Sequence, residues 1–459
     1  MRKGNKIAKL ISLILLIMSF TLLYLVVKVN VLPSKYIKSI SIVIIISNFV
    51  LFISMTLFRS KFIKLFSLLC CIGLGYGIYS LFNTSSILTS MNINYKTNNY
   101  IVLVNKNSNY NKISNLSNKN IGYLSDSAKV LKKIRINYKP VEYKDSVDLL
   151  NALFSNAVDG IILEQSHIDI FKEEGYSIDG KTKIIYKFKM NTKVTNIIND
   201  VDTTEESFIV YLSGIDTYGS ISSVSRTDAN MLLVVNPKTK NILLISIPRD
   251  YYVNLYGKNA KDKLTHSGIY GIDTTIKTVE ELLDIRINYY FKVNFTSIID
   301  IVDSVNGIDV ISDYTFTSKD GYKYNKGVNH LNGKETLSFV RERKAFSNGD
   351  RVRNINQQTM VTGLFNKVTS PDILIKYNDL LTSLKDSFIT NMPQKRITSL
   401  IQKQLETKSK WTITNYYLDG NNSREYTYSY KANKLYVMIP NENKVKEVNN
   451  LIKNIMEKK

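Results

Sequence analysis

A chain of 459 residues has room for several globular units, since one domain usually takes roughly 100–200 residues. The formal net charge of +22 points to an anionic neighbour: lipid headgroups, phosphorylated sugars, an acidic wall polymer or nucleic acid. Both cysteines, Cys70 and Cys71, are adjacent inside an apolar run and the only histidines are His167, His266 and His330, which argues against a disulfide framework, a thiolate site or a histidine-rich zinc site. Chemistry therefore rests on Asp, Glu, Arg, Lys and Tyr.

Three apolar runs come first in the chain, Leu10 to Val27, Ser39 to Phe58 and Leu65 to Phe82, each near the span of a hydrocarbon core. Short basic loops separate them, which fits transmembrane helices better than buried core helices. With no small-residue cleavage site evident, the first reads as a signal anchor. Arg2, Lys3, Lys6 and Lys9 precede the first run, and Arg59, Lys61 and Lys64 lie between the second and third. Lys28, Lys35 and Lys38 fall in the other loop, and nothing basic follows the third run until Lys96. The positive-inside rule puts the N-terminus in the cytoplasm and everything after Phe82 outside.

After this anchor and its linker, residues 1–96, strand and helix signals alternate. IVLVN at 101, IGYL at 121 and DGIIL at 159 predict strands, while DSVDLLNALF at 145 and QSHIDIFKEE at 165 have helical spacing. A small α/β accessory domain over 97–190 follows, without a ligand motif; a spacer is its expected role, with a binding module as the alternative. The polar stretch 191–206 reads as a linker to a catalytic unit at 207–459.

In that unit FIVYLSGID is a predicted strand ending in an acid, and MLLVV and NILLISI are strands joined by a turn at Asn236 to Thr239. A helix is predicted over Thr275 to Asp284, then the strand YYFKVNF, then a helix IIDIVDSV capped by Thr296 or Ser297 and ended by Gly307 before the strand IDVI. Beyond Leu331 the pattern is mostly helical, and from Trp411 it returns to strands before a last helix. The fold class is α/β, a central sheet flanked by helices, preceded by the accessory domain and the three-helix membrane anchor.

Polar groups collect where the apolar strands end, the usual ligand edge of an open α/β sheet. Asp216 follows the first strand, Arg226 and Asp228 precede the second, and Arg249 and Asp250 follow the third. Any one carboxylate reads as a solvated turn residue; three acid-and-Arg sites on neighbouring strands are harder to explain that way. The stretch 339–358, FVRERKAFSNGDRVRNINQQ, adds Arg341, Arg343, Asp350, Arg353 and Gln357. If Asp350 caps the second helix there, Arg353 and Gln357 share one face with it. The bland reading is a basic solvated surface, but arginine grips phosphate through a bidentate fork in a way lysine does not. Apolar stripes containing Ile298, Ile299, Val302, Leu337 and Val340 read as core, with a lipid cleft as the alternative.

The strings RTDANMLLV, SIPRDYYV, DKLTHSGIYG, LNGKETLSFVRER and GDRVRNINQQ, in that order and spacing, closely resemble the LytR-CpsA-Psr family of cell-wall glycopolymer ligases, strongly over about 205 to 370 and more weakly to the C-terminus. Three membrane helices and an intervening domain look like its capsule-type members. The resemblance implies a hydrophobic cleft for a polyprenyl chain, an arginine-lined pyrophosphate site and bound Mg2+. Asp216 and Asp228 would hold the metal, with Asp250 nearby. Arg226, Arg249, Lys263, Arg341, Arg343, Arg353 and Gln357 would bind the pyrophosphate. Arg249, Asp250, Arg341, Arg343 and Asp350 would serve the reaction, Asp350 as a candidate base. Thr265 replaces the usual Asn after the lysine motif, which puts local loop contacts in question, and Asn356 replaces an Arg, which thins the expected basic rim.

The implied activity moves a glycopolymer from an undecaprenyl pyrophosphate carrier to peptidoglycan outside the membrane. Hydrolysis of the same donor and a non-catalytic wall-binding anchor are the alternatives. Nucleic acid is not an expected partner, because DNA lies on the other side of the membrane. Walker A loop, nucleophile elbow and zinc motif are all missing.

Overall fold

The computed structural model describes residues 3–29, 34–57, 60–90, 95–194, 198–215, 217, 221–370 and 387–458. Three long helices open the chain: α1 (Lys3–Val29), α2 (Ser34–Leu57) and α3 (Lys61–Ser90). Within them Ile7–Val29, Lys35–Met55 and Lys61–Ser86 are long and apolar enough to cross a membrane. They turn Phe20, Phe49 and Tyr76 outward, as a lipid-facing bundle requires, while Asn48 donates to Ser19 Oγ across the first two helices at 2.8 Å. The third helix runs eight residues past the expected end at Phe82, so the supposed linker before the next strand is short.

Next comes a mixed five-stranded sheet, β1 (Tyr95–Asn105), β2 (Asn120–Leu124), β3 (Lys139–Tyr143), β4 (Gly160–Glu164) and β5 (Thr182–Lys193), in the order β3-β2-β4-β1-β5. Helices α4 (Ser146–Phe154) and α5 (Gln165–Glu173) cover it. Asp145 caps α4 by accepting the backbone N–H groups of Val147 and Asp148. Strand β5 pairs along the whole of β1 and reaches into the stretch expected to be linker.

The second sheet has six strands. Its middle is β6 (Phe208–Ile215), β7 (Thr227–Asn236) and β8 (Asn241–Ser246), paired antiparallel. The β7–β8 turn is closed by Asn236, whose side chain accepts from the backbone of Lys238 and Thr239. A hairpin of β9 (Tyr252–Leu255) and β10 (Ala260–Lys263) follows β8, then α6 (Leu264–Ser267) and α7 (Ile272–Leu283), the latter starting three residues before its expected position. Strand β11 (Tyr289–Val293) joins β6 in parallel.

Helix α8 spans Phe295–Ser304 and is capped by Asn294, not by Thr296 or Ser297. The Asn294 side chain accepts from the Ser297 N–H, while the Ser297 hydroxyl returns a bond as the third residue of a capping box. The hairpins β12 (Ile308–Ser312) with β15 (Gly327–Leu331) and β13 (Phe316–Thr317) with β14 (Lys323–Tyr324) lead into α9 (Gly333–Arg341) and α10 (Gly349–Val368). Two close approaches set these helices. A Cβ on Gly333 would stand 2.4 Å from the Ile299 carbonyl oxygen, and one on Gly363 2.3 Å from that of Asp309. The short β16 (Ile389–Thr390) extends the sheet beside β11, a helix runs over Gln394–Thr407, and β17 (Thr412–Tyr417) closes the sheet beside β8. The hairpin of β18 (Gly420–Glu425) and β19 (Leu435–Pro440) precedes the C-terminal helix Glu442–Glu457.

Period-two alternation in β6 and β7 feeds two different interiors. Ile209, Tyr211, Leu232 and Val234 point to a core completed by α7 and the C-terminal helix through Ile276, Val279, Val448 and Ile452. Phe208, Val210, Met231 and Leu233 point the other way, toward α8, α10 and the helix Gln394–Thr407.

The two sheets are joined near Thr97, which exchanges backbone hydrogen bonds with Ser222 and Val224 at 3.0 Å. Lys96 bonds Asp273 at 3.0 Å, and Lys292 donates to the Ser223 carbonyl at 2.8 Å. Burial first, then the charge of Lys96, pulls the Lys292 ammonium down to about 7. A lysine in an unfolded chain titrates near ~10.4. Between those values the unfolded chain binds more protons, so stability rises with pH across the window, and the penalty is complete below its lower end. Chemical denaturation of the detergent-solubilised protein should therefore give a steeper rise in unfolding free energy from neutral to mildly alkaline pH for wild type than for Lys292→Met; equal slopes would mean that Lys292 stays charged.

Candidate functional site

The antiparallel middle of the second sheet brings the end of β6, the start of β7 and the end of β8 to one edge. A register shift at Gly214/Ile215 pairs Gly214 with Ala229 and Ile215 with Thr227, leaving Asp228 as the extra residue of a β-bulge. The bulge aims the Asp228 carboxylate into the loop after β8. There Asp228 Oδ1 accepts from Arg249 Nη1 at 3.1 Å and from the Thr265 hydroxyl at 2.8 Å. Burial alone would raise this carboxyl, but Arg249, Arg226 and the Thr265 hydroxyl hold it well below the usual carboxylate range.

Around this pair the expected residues converge. Arg249 Nε lies 3.6 Å from Asp250 Oδ2, and Asp250 Oδ1 lies 3.5 Å from Lys263 Nζ. Arg353, only 6% exposed, reaches Asp350 at 3.2 Å, and Arg343 approaches the same carboxylate at 3.4 Å from the exposed rim. Burial, then the neighbouring Arg249, pulls Arg353 below the usual arginine range. The Nε atoms of Arg249 and Arg353 are buried without a hydrogen-bond partner. Donors in that state, beside several positive charges, are suited to an anion.

Asp350 is not the cap of α10. The N-cap position is Asn348, and Asp350 lies in the first turn, where its charge suits the helix N-terminus. Arg341 packs its guanidinium over the Phe295 ring, 4.2 Å from its centroid, and shares the mouth of the adjoining cavity with Asp228 and Gln357. Asp216, expected beside Asp228, lies outside the described residues. Thr265 takes up the Asp228 carboxylate, so this departure from the family pattern supplies a contact. Asn356 is buried and donates to the Phe339 carbonyl at 3.1 Å, so its position faces the packing between α9 and α10 instead of a basic rim.

The cavity behind this mouth encloses about 530 Å³ between the β6–β7 face and the helices α8, α10 and Gln394–Thr407. Its wall is nearly all apolar, from Val210 and Met231 to Leu364, Leu400 and Trp411. Ile298, Val302 and Val340 belong to this wall, whereas Ile299 and Leu337 do not: Leu337 is buried elsewhere and Ile299 backs Gly333. An apolar cavity that ends at Arg341 and at Asp228, the partner of Arg249, suits a ligand with a hydrocarbon tail and an anionic head.

Two further site residues come from outside the catalytic sheet. Glu173 at the end of α5 contacts Arg226 and lies 3.6 Å from Arg249, and Glu174 lies 3.4 Å from Lys263. No sequence motif marks them; only the seam between the two sheets brings them here. As for a metal, no three His, Cys, Asp or Glu side chains gather into a protein-only cage among the described residues. Both Asp228 contacts fall on Oδ1, and magnesium is commonly held by one or two carboxylates plus phosphate oxygens, so the donor set fits an ion bound together with a diphosphate.

The model of the LytR_cpsA_psr family matches residues 172–453. The chain belongs to this family. Among curated LytR_cpsA_psr relatives, a "polyisoprenyl-teichoic acid–peptidoglycan teichoic acid transferase TagU" of Bacillus licheniformis is 35% identical over 237 residues, 51% of this chain and 76% of that protein. The TagU of Bacillus cereus is 34% identical over 227 residues, 46% of this chain and 74% of its own length. The crystal structure of Bacillus subtilis TagV, 27% identical, covers 56% of this chain and 99% of its own with a TM-score of 0.48.

Asp228 is the nearest counter-charge to the buried Arg249, and removing one partner of such a pair costs about 3–5 kcal/mol. Asp228→Ala should lower the thermal stability of the purified protein by that order, and added inorganic pyrophosphate should restore part of it by binding the folded state. A melting temperature unchanged from wild type would mean that Asp228 carries no such role.

Proposed function

We propose that this protein transfers a phosphate-linked glycopolymer from a polyprenyl diphosphate carrier to peptidoglycan on the outer side of the membrane. The observation that carries the reading is that the lining of the apolar cavity reaches Asp228, which accepts from the buried Arg249, an adjacency that matches a long hydrocarbon joined to a diphosphate. The names of the TagU relatives give the reaction class, a polyisoprenyl-linked donor and a peptidoglycan acceptor. Three helices able to cross a membrane would hold the site close to a membrane-borne donor, and the distribution of Lys and Arg around them supports an outward catalytic part.

In this reading the prenyl chain lies along Val210, Met231 and Leu364, and its diphosphate sits on Arg226, Arg249, Arg353 and Lys263. A sugar hydroxyl of peptidoglycan attacks the phosphorus next to the glycan. The bond from that phosphorus to the bridging oxygen breaks, and the lipid phosphate leaves with the electron pair. Arg249 and Arg353 are placed to stabilise the charge that grows on the leaving oxygens, which is the main work phosphoryl transfer asks of a protein. Asp350, exposed between Arg343 and Arg353, is the candidate to take the hydroxyl proton. Magnesium belongs to the proposal as well: Asp228, with Asp216 by its place in the sequence, would hold it, and it would supply further neutralisation of the diphosphate.

Arg249→Ala should reduce turnover of a purified lipid-linked glycan donor by about 10²–10³-fold, the usual cost of one preorganised charge-stabilising donor. Radiolabel moved to peptidoglycan is the readout, and turnover equal to wild type would defeat the assignment of this cluster to the diphosphate.

A further inference from the structure

The accessory part does not stand clear of the site. Phe171 of α5 packs on Tyr430, with ring centroids 5.3 Å apart, inside a core shared by Leu149, Leu153, Ile269 and Leu435. That anchor fixes the last turn of α5, and Glu173, its final residue, and Glu174, its C-cap, meet the arginine cluster. The chain then reverses at Gly175, whose φ of +76° favours glycine. Glu173 bridges Arg226 and Arg249, and Glu174 meets Lys263 3.4 Å away. These are three of the cations that the diphosphate reading assigns to the donor.

Two carboxylates at the end of a helix sit at its negative pole and gain nothing from their own backbone. Their stabilisation has to come from the facing cations. Within the catalytic part, among the described residues, the cations Arg226, Arg249, Lys263, Arg341, Arg343 and Arg353 outnumber the carboxylates Asp228, Asp250 and Asp350 gathered with them, and the two glutamates offset most of that difference. One N–H group cannot point at a glutamate and at a phosphate oxygen in the same direction at the same time.

We propose that Glu173 and Glu174 form an acidic plug from the accessory part that occupies the diphosphate position and that the donor displaces on binding. The proposal rests on the reading of the arginine cluster as the diphosphate site. Donor binding then includes the cost of withdrawing the α5 tip, so the apparent affinity is the intrinsic affinity reduced by the fraction of molecules with the plug out. The accessory part thereby sets how readily the site accepts a donor, a role beyond that of a spacer.

Calorimetric titration of the full-length protein in detergent with inorganic pyrophosphate tests this. The double variant Glu173→Gln with Glu174→Gln should bind pyrophosphate roughly tenfold or more tightly than wild type, by removing a competing state. In parallel, Arg249→Ala should weaken binding. If Arg249→Ala binds as wild type does, the diphosphate site is misassigned and the plug falls with it. If Arg249→Ala weakens binding while the glutamine variant binds no more tightly than wild type, the plug alone is overturned. Hydrogen exchange on wild type gives a second readout independent of any variant: pyrophosphate should speed exchange at the C-terminal turn of α5, and slowed or unchanged exchange there would contradict displacement.

Discussion

The organising constraint is the placement of several arginines in a partly water-excluded pocket where, among the described residues, the carboxylates from their own part of the chain are too few to balance them. Charge of one sign in low dielectric is tolerated only with a counter-charge at hand. Asp228 supplies the first, delivered by a bulge that takes it out of the regular β6–β7 pairing and turns it to Arg249. The remaining buried donors on Arg249 and Arg353 are a demand the catalytic sheet leaves open.

The sheet earns its second role from strand alternation. One set of side chains packs against α7 and the C-terminal helix as an ordinary core, while the other set leaves space beneath α8 and α10. Close backbone approaches at Gly333 and Gly363 hold those helices by their flanking elements, away from direct collapse onto β6 and β7. An apolar wall of this extent offers a long hydrocarbon ligand burial from water. The apolar cavity and the cationic cluster meet at Asp228, which lines the one and accepts from Arg249 of the other.

Much of this was legible in the sequence. The membrane helices stood out because apolar runs of that length have few other uses, and β6, β7 and β8 because continuous Val, Ile and Leu runs bounded by turn residues have strand length. The arginine-rich stretch 339–358 announced anion chemistry through its residue types. Boundaries were less readable: Asn294, Thr296 and Ser297 are all good caps, and only the fold decides which one leaves the helix. The end of strand β5, Asn191 to Lys193, reads as linker because its residues are all polar, although Lys suits an edge strand. The cavity was hidden for a different reason, since a stripe of Ile and Val looks alike whether it faces a packed core or a void. Glu173 and Glu174 could not be foreseen, as their partners lie over fifty residues away and in another sheet.

The central claim is that one ligand spans the arginine cluster and the apolar cavity. The most direct measurement is an experimental structure of the protein with a short-chain prenyl diphosphate. The expected result places the phosphate oxygens on Arg249 and Arg353 and the prenyl chain between Val210, Met231 and Leu364. A diphosphate held elsewhere, or a tail lying outside that cavity, would contradict it.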